Sequence, residues 1–365
     1  MKIILFIDCL GPGGAQRQLV GLAVKLKQRG YQVKVCYYQD IPFYVNLLDE
    51  NGVPHQLILG SDNHIKRIPI LLRYFKKENP DWVIAFQETP SLVSCIIKIL
   101  GGRFKLLVSE RNTTQVLGKR ERIRFFLYRF ADAIIPKSYN QGHFLVENYP
   151  WMETKVKTIV NFVDLKLFNS GHSYKSEVPE VVIAATISSR KNTKNFILAV
   201  ELLKNQGIKC HIAWYGLVDD RYEENIGYQM QCLEMIQEKK LSDIMELREK
   251  TQNISEVYRK ADFLCLPSLY EGTPNTICEA MASGLPVICS NVCDNPQYVH
   301  ESENGFLFDP LDVEDMANKI KEAICMQDKD YRSYCVNSRK LAENYFSEES
   351  FITKYINIIS ESYQK

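Results

Sequence analysis

Short apolar runs alternate along the first half of the chain with longer segments that have helical spacing. Residues 15–29 show this spacing, with Leu19, Leu22 and Leu26 on one side and Gly30 just beyond the end. The apolar runs that we interpret as strands are residues 2–7, 32–38, 56–59, 82–86, 105–109 and 133–136. Strands that alternate with helices predict a parallel sheet covered on both faces.

A second series of the same kind begins near Glu180. Its predicted strands are residues 181–185, 208–214, 263–266 and 286–289. A polar link at residues 169–179 separates the two series. We therefore predict an α/β protein with two Rossmann-like, doubly wound domains facing each other across a cleft, which is a favoured place for a ligand. The predicted domains are residues 1–168 and 169–345, and a C-terminal helix at residues 346–365 is expected to pack back on the first domain.

The composition is that of a globular protein, with 45% hydrophobic and 24% charged residues among 365. It excludes a mostly disordered or collagen-like chain. The 11 cysteines are scattered without a CxxC pair, so neither a metal site nor a disulfide scaffold is expected. Unpaired cysteines fit a reducing cytoplasm. The apolar start is too short for a signal peptide, and no run approaches the roughly 18–20 residues of a membrane span.

Charge is unevenly divided between the two halves of the chain. Residues 1–165 hold 23 basic and 14 acidic residues, whereas residues 166–365 hold 22 basic and 30 acidic residues. A basic half fits an anionic surface or a phosphate-bearing ligand. Ordinary surface charge with an attractive domain interface explains the same asymmetry, and the sequence leaves both interpretations open. No nucleic-acid partner is expected.

The most informative stretch, SLYEGTPNTICEAMASGLPVICSN, occupies residues 268–291. A predicted strand leads into a tight loop, and a helix starts at about Asn275. Backbone N–H groups at a helix N-terminus favour an anion such as a phosphate. Seven residues separate Glu271 from Glu279, and a carboxylate can accept hydrogen bonds from vicinal hydroxyls. Helix capping is the alternative, but the loop, the helix and the following strand arrive together and favour a binding site.

This stretch resembles the E-x7-E signature of the group 1 family of retaining glycosyltransferases, which have the GT-B fold. Further resemblances follow in the family's order over nearly the whole chain: LGPGGAQR at residues 10–17, IVNFVDLKLF at 159–168, YRKADFLCLPS at 258–268 and NGFL at 304–307. The resemblance implies a metal-independent enzyme without a cofactor, whose co-substrate is a nucleotide-diphosphate sugar. UDP is the expected nucleotide, with GDP as its competitor.

The resemblance also implies roles for individual residues. Glu279 would bind the nucleotide ribose, and Glu271 would hold the donor sugar. The other residues assigned to donor binding are Gly272, Thr273, Pro274, Asn275, Gly13, Gly14 and Gly216. Glycine allows both a close backbone approach and unusual φ, which suits a loop that meets a diphosphate.

Two candidate cations lie in the stretch ATISSRKN at residues 185–192. The family uses an arginine and a lysine, five residues apart, to neutralise the leaving diphosphate. Lys191 fits the lysine, whereas Thr186 stands at the arginine position. Arg190 is expected to compensate from the adjacent position.

The acceptor side departs from the family pattern at Arg111, which stands where many relatives carry a histidine close to the reacting sugar. The acceptor proton would go either to Glu110 or to the leaving phosphate itself. The candidate catalytic residues are therefore Glu271, Lys191, Arg190 and Glu110.

The stretch GKRERIRFFLYRF at residues 118–130 is basic and aromatic. On a helix, Ile123, Phe126 and Phe130 fall on one side, and the basic residues lie largely elsewhere. One interpretation is a helix that lies on an anionic membrane surface. The other is a core-facing helix with a solvated basic face. The residues assigned to acceptor or membrane contact are Arg111, Arg120, Arg122 and Arg124.

We therefore expect a retaining glycosyltransferase that moves a hexose or N-acetylhexosamine to a glycan or lipid-linked glycan acceptor. Capsule, lipopolysaccharide or glycan biosynthesis is the expected setting, in the cytoplasm and with peripheral contact at the inner face of the membrane as a hypothesis. The alternatives are a nucleotide-sugar isomerase of the same architecture and a non-catalytic two-domain sugar-binding protein. A dinucleotide oxidoreductase is disfavoured because LGPGGA lacks the G-x-G-x-x-G spacing.

Overall fold

The structure is a computed structural model that describes residues 1–58, 64–114, 116–169, 174–217 and 223–361. Two compact units divide the chain. Unit 1 consists of Met1–Asn161 and the described part of Glu349–Lys365, and unit 2 is Phe162–Glu348. Each unit contains one six-stranded sheet in which every described strand pair is parallel.

Unit 1 has the strand order β3-β2-β1-β4-β5-β6, so the order reverses between β1 and β4. Its strands are β1 (Lys2–Phe6), β2 (Gln32–Tyr37), β3 (His55–Leu57), β4 (Trp82–Phe86), β5 (Lys105–Glu110) and β6 (Ala133–Pro136). Its helices are α1 (Gly14–Gln28), α2 (Val45–Glu50), α3 (His64–Glu78), α4 (Glu88–Ile99), α5 (Lys119–Leu127) and α6 (Tyr139–Asn148), with 3₁₀ turns at Tyr128–Phe130 and Pro150–Met152. Every residue of β4 and β6 is buried, because helices cover both faces of the sheet.

Unit 2 repeats this topology with the order β12-β11-β10-β7-β8-β9. Its strands are β7 (Glu180–Ala184), β8 (His211–Leu217), β9 (Met245–Glu249), β10 (Phe263–Leu266), β11 (Val287–Ser290) and β12 (Gly305–Phe308). Its helices are α7 (Thr193–Asn205), α8 (Glu223–Glu238), α9 (Ile254–Lys260), α10 (Asn275–Ala282), α11 (Asn295–Tyr298), α12 (Val313–Cys325) and α13 (Asp328–Phe346), with a 3₁₀ turn at Ser189–Lys191. A last helix, α14 (Glu348–Glu361), lies almost entirely within unit 1. The two doubly wound sheets confirm the predicted α/β class.

The sequence pattern located all six strands of unit 1 and four of the six in unit 2. It missed β9 and β12, which are the two edge strands of the second sheet. The sequence of β9, MELRE, carries charges because the four residues after Met245 are only partly buried or exposed. β12 has only four residues, too few to establish a pattern. Edge strands pair on one side only, so they need no continuous apolar run.

The compact units divide the chain seven residues before the predicted boundary at residue 168. Residues 162–168 belong to unit 2, where Val163 N donates to Phe346 O at 3.0 Å and Arg339 donates to Phe168 O at 2.7 Å. In the predicted link, residues 170–173 lie outside the described residues. The C-terminal helix α14 is part of unit 1, with the Tyr355 ring stacked 6.4 Å from that of Phe86. The roles assigned to the two domains stay predictions.

All 11 cysteines are free thiols, and nine of them are buried. Across the described ranges, no cluster of His, Cys, Asp and Glu side chains is suited to hold a metal ion. Nor does any helix in those ranges combine the length and apolar character that a membrane crossing requires.

Candidate functional site

The loop between β10 and α10 is held in place by buried polar side chains. Ser290, at the end of β11, donates through Oγ to Ser268 O at 2.6 Å. Thr273 Oγ1 lies 3.2 Å from the hydroxyl of Tyr298 and 3.4 Å from Asp294 Oδ2. These anchors come from β11, from α11 and from the residue before α11. They fix the loop that carries Gly272, Thr273 and Pro274 at the carboxyl edge of the second sheet, and α10 begins directly after it.

Glu271 in this loop forms an ion pair with Lys191, although 80 positions separate the two residues. Both side chains are nearly buried, at 8% and 12% exposure respectively. Lys191 ends a 3₁₀ turn that is capped by Ser188, whose Oγ accepts from Lys191 N. Leu269 N donates to Arg190 O at 3.0 Å and joins the turn to the loop. The structure therefore brings together two of the predicted catalytic residues.

A cavity of about 420 Å³ opens beside this pair, at the carboxyl ends of β7 and β8. Arg190, Lys191 and Glu279 all line it, so three of the predicted site residues share one space. The other lining residues are Ala184, Ala185, Thr186, Tyr215, Lys250, Thr251, Ile254, Tyr258 and Thr276. Glu279 is buried on the second turn of α10. A cavity lined by both a carboxylate and cations can hold a ligand that carries hydroxyl groups and an anion.

Several lining residues were missed by the sequence analysis. Lys250 and Thr251 follow β9, the edge strand that the pattern did not reveal, so no signal marked them. Tyr215 lies on β8, and its hydroxyl accepts from Arg248 on the neighbouring strand. Thr186 does line the cavity at the position where the family pattern expects arginine. Lys250 is thus a third cation of the cavity that the motif did not predict.

Gly216 lies close to the backbone of Ala185, which lines the cavity. A Cβ atom at this position would lie far inside van der Waals contact of the Ala185 carbonyl oxygen. Trp214 also donates to that oxygen, at 2.6 Å. Ala185 lines the cavity, whereas Gly216 is not among the lining residues. Glycine is required here for the close approach of the two chain segments, and its assignment to donor binding stays a prediction.

The glycine loop of unit 1 leads into α1, which begins at Gly14. Gly13 has φ −145° and ψ 157°, an extended conformation that any residue adopts. Unusual φ is therefore not the reason for glycine at this position, contrary to the expectation from the sequence. A Cβ atom on Gly13 would instead meet the side-chain amide of Gln16. The remaining reason for glycine at position 13 is that it allows a close approach of the backbone to a ligand.

A polar cluster that the sequence analysis missed lies at the carboxyl edge of the first sheet. It consists of Asp8 after β1, Gln16 on α1 and Gln87 after β4. Gln16 Nε2 lies 3.3 Å from Asp8 Oδ1, and Cys9 N donates to the same oxygen at 2.6 Å. With its amide nitrogen facing Asp8, Gln87 donates to both carboxylate oxygens at 2.6 and 2.7 Å. Ligands of doubly wound sheets bind at this edge.

Gln87 has a strained backbone, with φ 74° and ψ 170°. This region is essentially restricted to glycine and costs a side-chain-bearing residue roughly 1–3 kcal/mol. Gln87 N donates to Ser109 O at 3.1 Å, which helps to hold the strained conformation. Such strain gathers at functional sites. No sequence signal reveals it, because nothing in the residue type indicates a positive φ.

Glu110, one of the two predicted destinations of the acceptor proton, lies in an enclosed position, and its role as a general base stays a prediction. Its side chain is completely buried at the end of β5. It accepts from the hydroxyl of Tyr128, and Arg124 Nη2 lies 3.3 Å from its Oε2. Burial raises the pKa of Glu110 from 4.5 to about 7, although the charge of Arg124 lowers it. A carboxyl enclosed in this way has no open side for an acceptor hydroxyl.

Arg111 and Arg124, which were assigned to acceptor or membrane contact, are also buried, and that assignment stays a prediction. Arg111 donates to Asn161 and to Ser109 Oγ and lies 4.9 Å from the centre of the Phe86 ring. Burial lowers the pKa of its guanidinium. Arg120 and Arg122, the other two arginines of the group, are exposed on α5.

Comparisons with known proteins identify the family and the fold. The model of the family "Glycosyl transferases group 1" matches residues 169–341, and that of "Glycosyltransferase Family 4" matches residues 12–167. A Campylobacter jejuni enzyme is 23% identical over 374 residues, covering 99% of each chain. Its name is GalNAc-alpha-(1->4)-GalNAc-alpha-(1->3)-diNAcBac-PP-undecaprenol alpha-1,4-N-acetyl-D-galactosaminyltransferase. A second C. jejuni enzyme, N-acetylgalactosamine-N,N'-diacetylbacillosaminyl-diphospho-undecaprenol 4-alpha-N-acetylgalactosaminyltransferase, is 22% identical over 312 residues, or 80% of each chain.

Solved structures show the same fold. Anabaena HepE in complex with UDP has a TM-score of 0.85 at 18% identity, and the match covers 99% of this chain and 100% of that one. A glycosyltransferase from Rickettsia africae has a TM-score of 0.84 at 18% identity, with 98% of each chain covered. The chain belongs to the group 1 glycosyltransferases, and its two doubly wound units are those of the GT-B fold.

Proposed function

We propose that the protein is a retaining glycosyltransferase that moves a hexose or N-acetylhexosamine from a nucleotide-diphosphate sugar to a glycan or lipid-linked glycan acceptor. The observation that carries this proposal is the cavity of unit 2. Glu279, Arg190 and Lys191 line it together, and Glu271 pairs with Lys191 at its side. A carboxylate for vicinal hydroxyls and cations for phosphates are the groups that such a donor requires.

The donor is proposed to bind in this cavity through its nucleotide. Glu279 accepts hydrogen bonds from the ribose hydroxyls, and Arg190 and Lys191 face the diphosphate. The N–H groups of the first turn of α10 are proposed to contact the diphosphate as well, because a helix N-terminus favours anions. UDP is proposed ahead of GDP. The similarity to Anabaena HepE, which was solved with UDP and with UDP-glucose, supports this choice.

In the proposed reaction, the acceptor hydroxyl attacks the anomeric carbon from the face that the nucleoside diphosphate leaves. The C–O bond to the leaving phosphate breaks as the new glycosidic C–O bond forms, and the phosphate oxygen takes the acceptor proton. Arg190 and Lys191 stabilise the charge that develops on the diphosphate. Because these cations belong to the chain, we expect transfer without a metal ion. Glu271 orients the donor sugar and holds Lys191 in place.

The acceptor is proposed to bind at the carboxyl edge of the first sheet. Asp8, bracketed by the amides of Gln16 and Gln87, offers a carboxylate to a sugar hydroxyl there. A lipid-linked glycan is the proposed acceptor, in capsule, lipopolysaccharide or glycan biosynthesis. The two C. jejuni relatives, whose names contain a diphospho-undecaprenol acceptor, support this class. We propose that transfer takes place in the cytoplasm, at the inner face of the membrane.

The isomerase alternative receives less support from the cavity. That reaction needs acid and base groups around the sugar, and histidine is the residue best suited to exchange protons near neutral pH. Among the described residues that line the cavity, there is no histidine. The group 1 family membership favours transfer in addition.

Thermal unfolding in the presence of nucleotides tests the donor site. UDP should raise the melting temperature of the wild type, because a ligand bound only to the folded state stabilises it. Glu279→Ala should lose this shift, whereas Glu234→Ala, which changes an exposed glutamate of the same unit, should keep it. If no nucleotide shifts the wild type, or if Glu279→Ala responds like the control, the proposed site is wrong. The anomeric configuration of the product, measured by NMR, tests retention separately.

A further inference from the structure

One side of α5 presents large apolar side chains to solvent. The helix turns Arg124 and Phe125 inward, and its opposite side faces outward. Together with two residues outside the helix, that opposite side forms a surface that we name the outer α5 face. Its residues are Ile123, Phe126, Phe130 and Trp151, which are between 36% and 58% exposed. Of the two interpretations that the sequence left open, a helix with its apolar side on the core therefore does not apply to these residues.

Basic side chains surround the outer α5 face. The guanidinium of Arg129 lies 3.7 Å from the centre of the Phe126 ring and 5.9 Å from that of Trp151. Lys155 Nζ lies 5.9 Å from the centre of the Trp151 ring and donates to Arg129 O at 2.7 Å. The exposed residues Lys119, Arg120 and Arg122 extend the positive charge along the helix.

Few acidic groups oppose these cations. Glu121 lies in the first turn of α5, and Glu153 is exposed after the 3₁₀ turn that contains Trp151. Asp132 is paired with Lys98. The charge of the surface is therefore clearly positive, and the cations alternate with apolar side chains.

The combination of apolar and basic groups on the outer α5 face indicates which kind of partner it fits. An apolar patch alone would fit many protein surfaces. Aromatic and aliphatic groups that alternate with arginine and lysine match the interface of a bilayer, where apolar side chains reach the acyl boundary and cations meet lipid phosphates. A second exposed apolar group in unit 1, formed by Phe43 and Leu47, is flanked instead by Asp49 and Glu50. Negative charge makes that group a poor match for an anionic bilayer.

We propose that the outer α5 face docks the protein on an anionic bilayer, with Ile123, Phe126, Phe130 and Trp151 in the interfacial layer. Arg120, Arg122 and Arg129 contact the lipid phosphates. The biological role of this docking rests on the proposed function, because the enzyme can reach a lipid-linked acceptor only at a membrane surface. The binding itself does not depend on transfer and can be measured without a donor.

Vesicle flotation measures the docking directly. The full chain should float with vesicles that contain phosphatidylglycerol at low salt, and much less with pure phosphatidylcholine. The double variant Ile123→Ser, Phe126→Ser should lose about tenfold or more in partitioning, because burying each side chain contributes a factor of this order. Arg120→Glu with Arg122→Glu should remove the preference for anionic lipid. The control Phe43→Ser, Leu47→Ser should float like the wild type.

Two further measurements separate the possible results. Each variant should keep the wild-type melting temperature, because the changed side chains are exposed. Transfer to a short soluble acceptor should be unchanged in Ile123→Ser, Phe126→Ser, whereas transfer to a vesicle-borne acceptor should fall. If the wild type floats but transfers to neither acceptor, the proposed function fails and the docking stands. If the wild type does not bind anionic vesicles, or if light scattering shows that the outer α5 face joins two copies, the docking proposal is overturned.

Discussion

The buried carboxyl group of Glu110 makes a quantitative prediction for stability against pH. Its folded-state pKa is about 7, raised by burial from 4.5. The folded state therefore binds the Glu110 proton more tightly than the unfolded chain does. This contribution to stability is fully present below the unfolded value, and it is lost as pH rises to the folded value.

The size of the effect follows from the two pKa values. A pKa that rises from 4.5 to about 7 corresponds to about 3 kcal/mol in total. Most of this loss, roughly 2–3 kcal/mol, falls between about pH 5 and about pH 8. Glu110→Gln preserves the shape of the side chain and removes this titration. Relative to the wild type, the variant should therefore gain roughly 2–3 kcal/mol over this range.

Urea unfolding of the wild type and of Glu110→Gln at the two pH values measures this difference. The exposed Glu153→Gln serves as the control for exchanging a carboxyl for an amide. If the stability difference between Glu110→Gln and the wild type does not change with pH, the linkage argument is refuted. The same variant should keep its transferase activity at neutral pH. Loss of activity with intact folding would restore Glu110 as the general base.

Three other variants test the remaining features of the site. Lys191→Met should lower the free energy of unfolding by roughly 3–5 kcal/mol, because it leaves Glu271 buried without its cation. Adding Glu271→Gln should recover part of that loss in urea unfolding. A double variant less stable than either single variant would refute the coupling. Gly216→Ala should lower the melting temperature, because its Cβ overlaps the Ala185 carbonyl oxygen, and an unchanged melting temperature would contradict that contact. Asp8→Asn should reduce transfer while UDP still raises the melting temperature, and unchanged transfer kinetics would remove Asp8 from the acceptor site.

The fold was predictable to a large extent because both sheets are buried. Strands covered on both faces need continuous apolar residues, and these runs are visible in the sequence. β9 escaped detection because an edge strand tolerates the charges of Glu246 and Arg248. Because β9 was not predicted, Lys250, which follows that strand and lines the donor cavity, was missed as well.

The site was predictable where a local motif carries it and unpredictable where the fold assembles it. Glu271 and Glu279 belong to one loop and one helix, so their spacing suffices. The cluster of Asp8 and Gln87 joins the ends of two neighbouring strands, which no spacing rule reveals. The burial of Glu110 could not be predicted from its local sequence. A polar residue at the end of a strand resembles a catalytic group, but burial depends on Tyr128 and Arg124, which come later in the chain.

Unit 1 is assembled from two separate pieces of the chain, because α14 returns to it after the whole of unit 2. During synthesis, the first sheet is therefore translated long before the helix that supplies Tyr355 to Phe86. Until that helix emerges from the ribosome, the aromatic surface of Phe86 lacks this part of its cover. An expression fragment that ends at residue 161 would retain the same defect permanently. Aggregation of that fragment, relieved by adding a peptide of residues 348–361, is the expected behaviour.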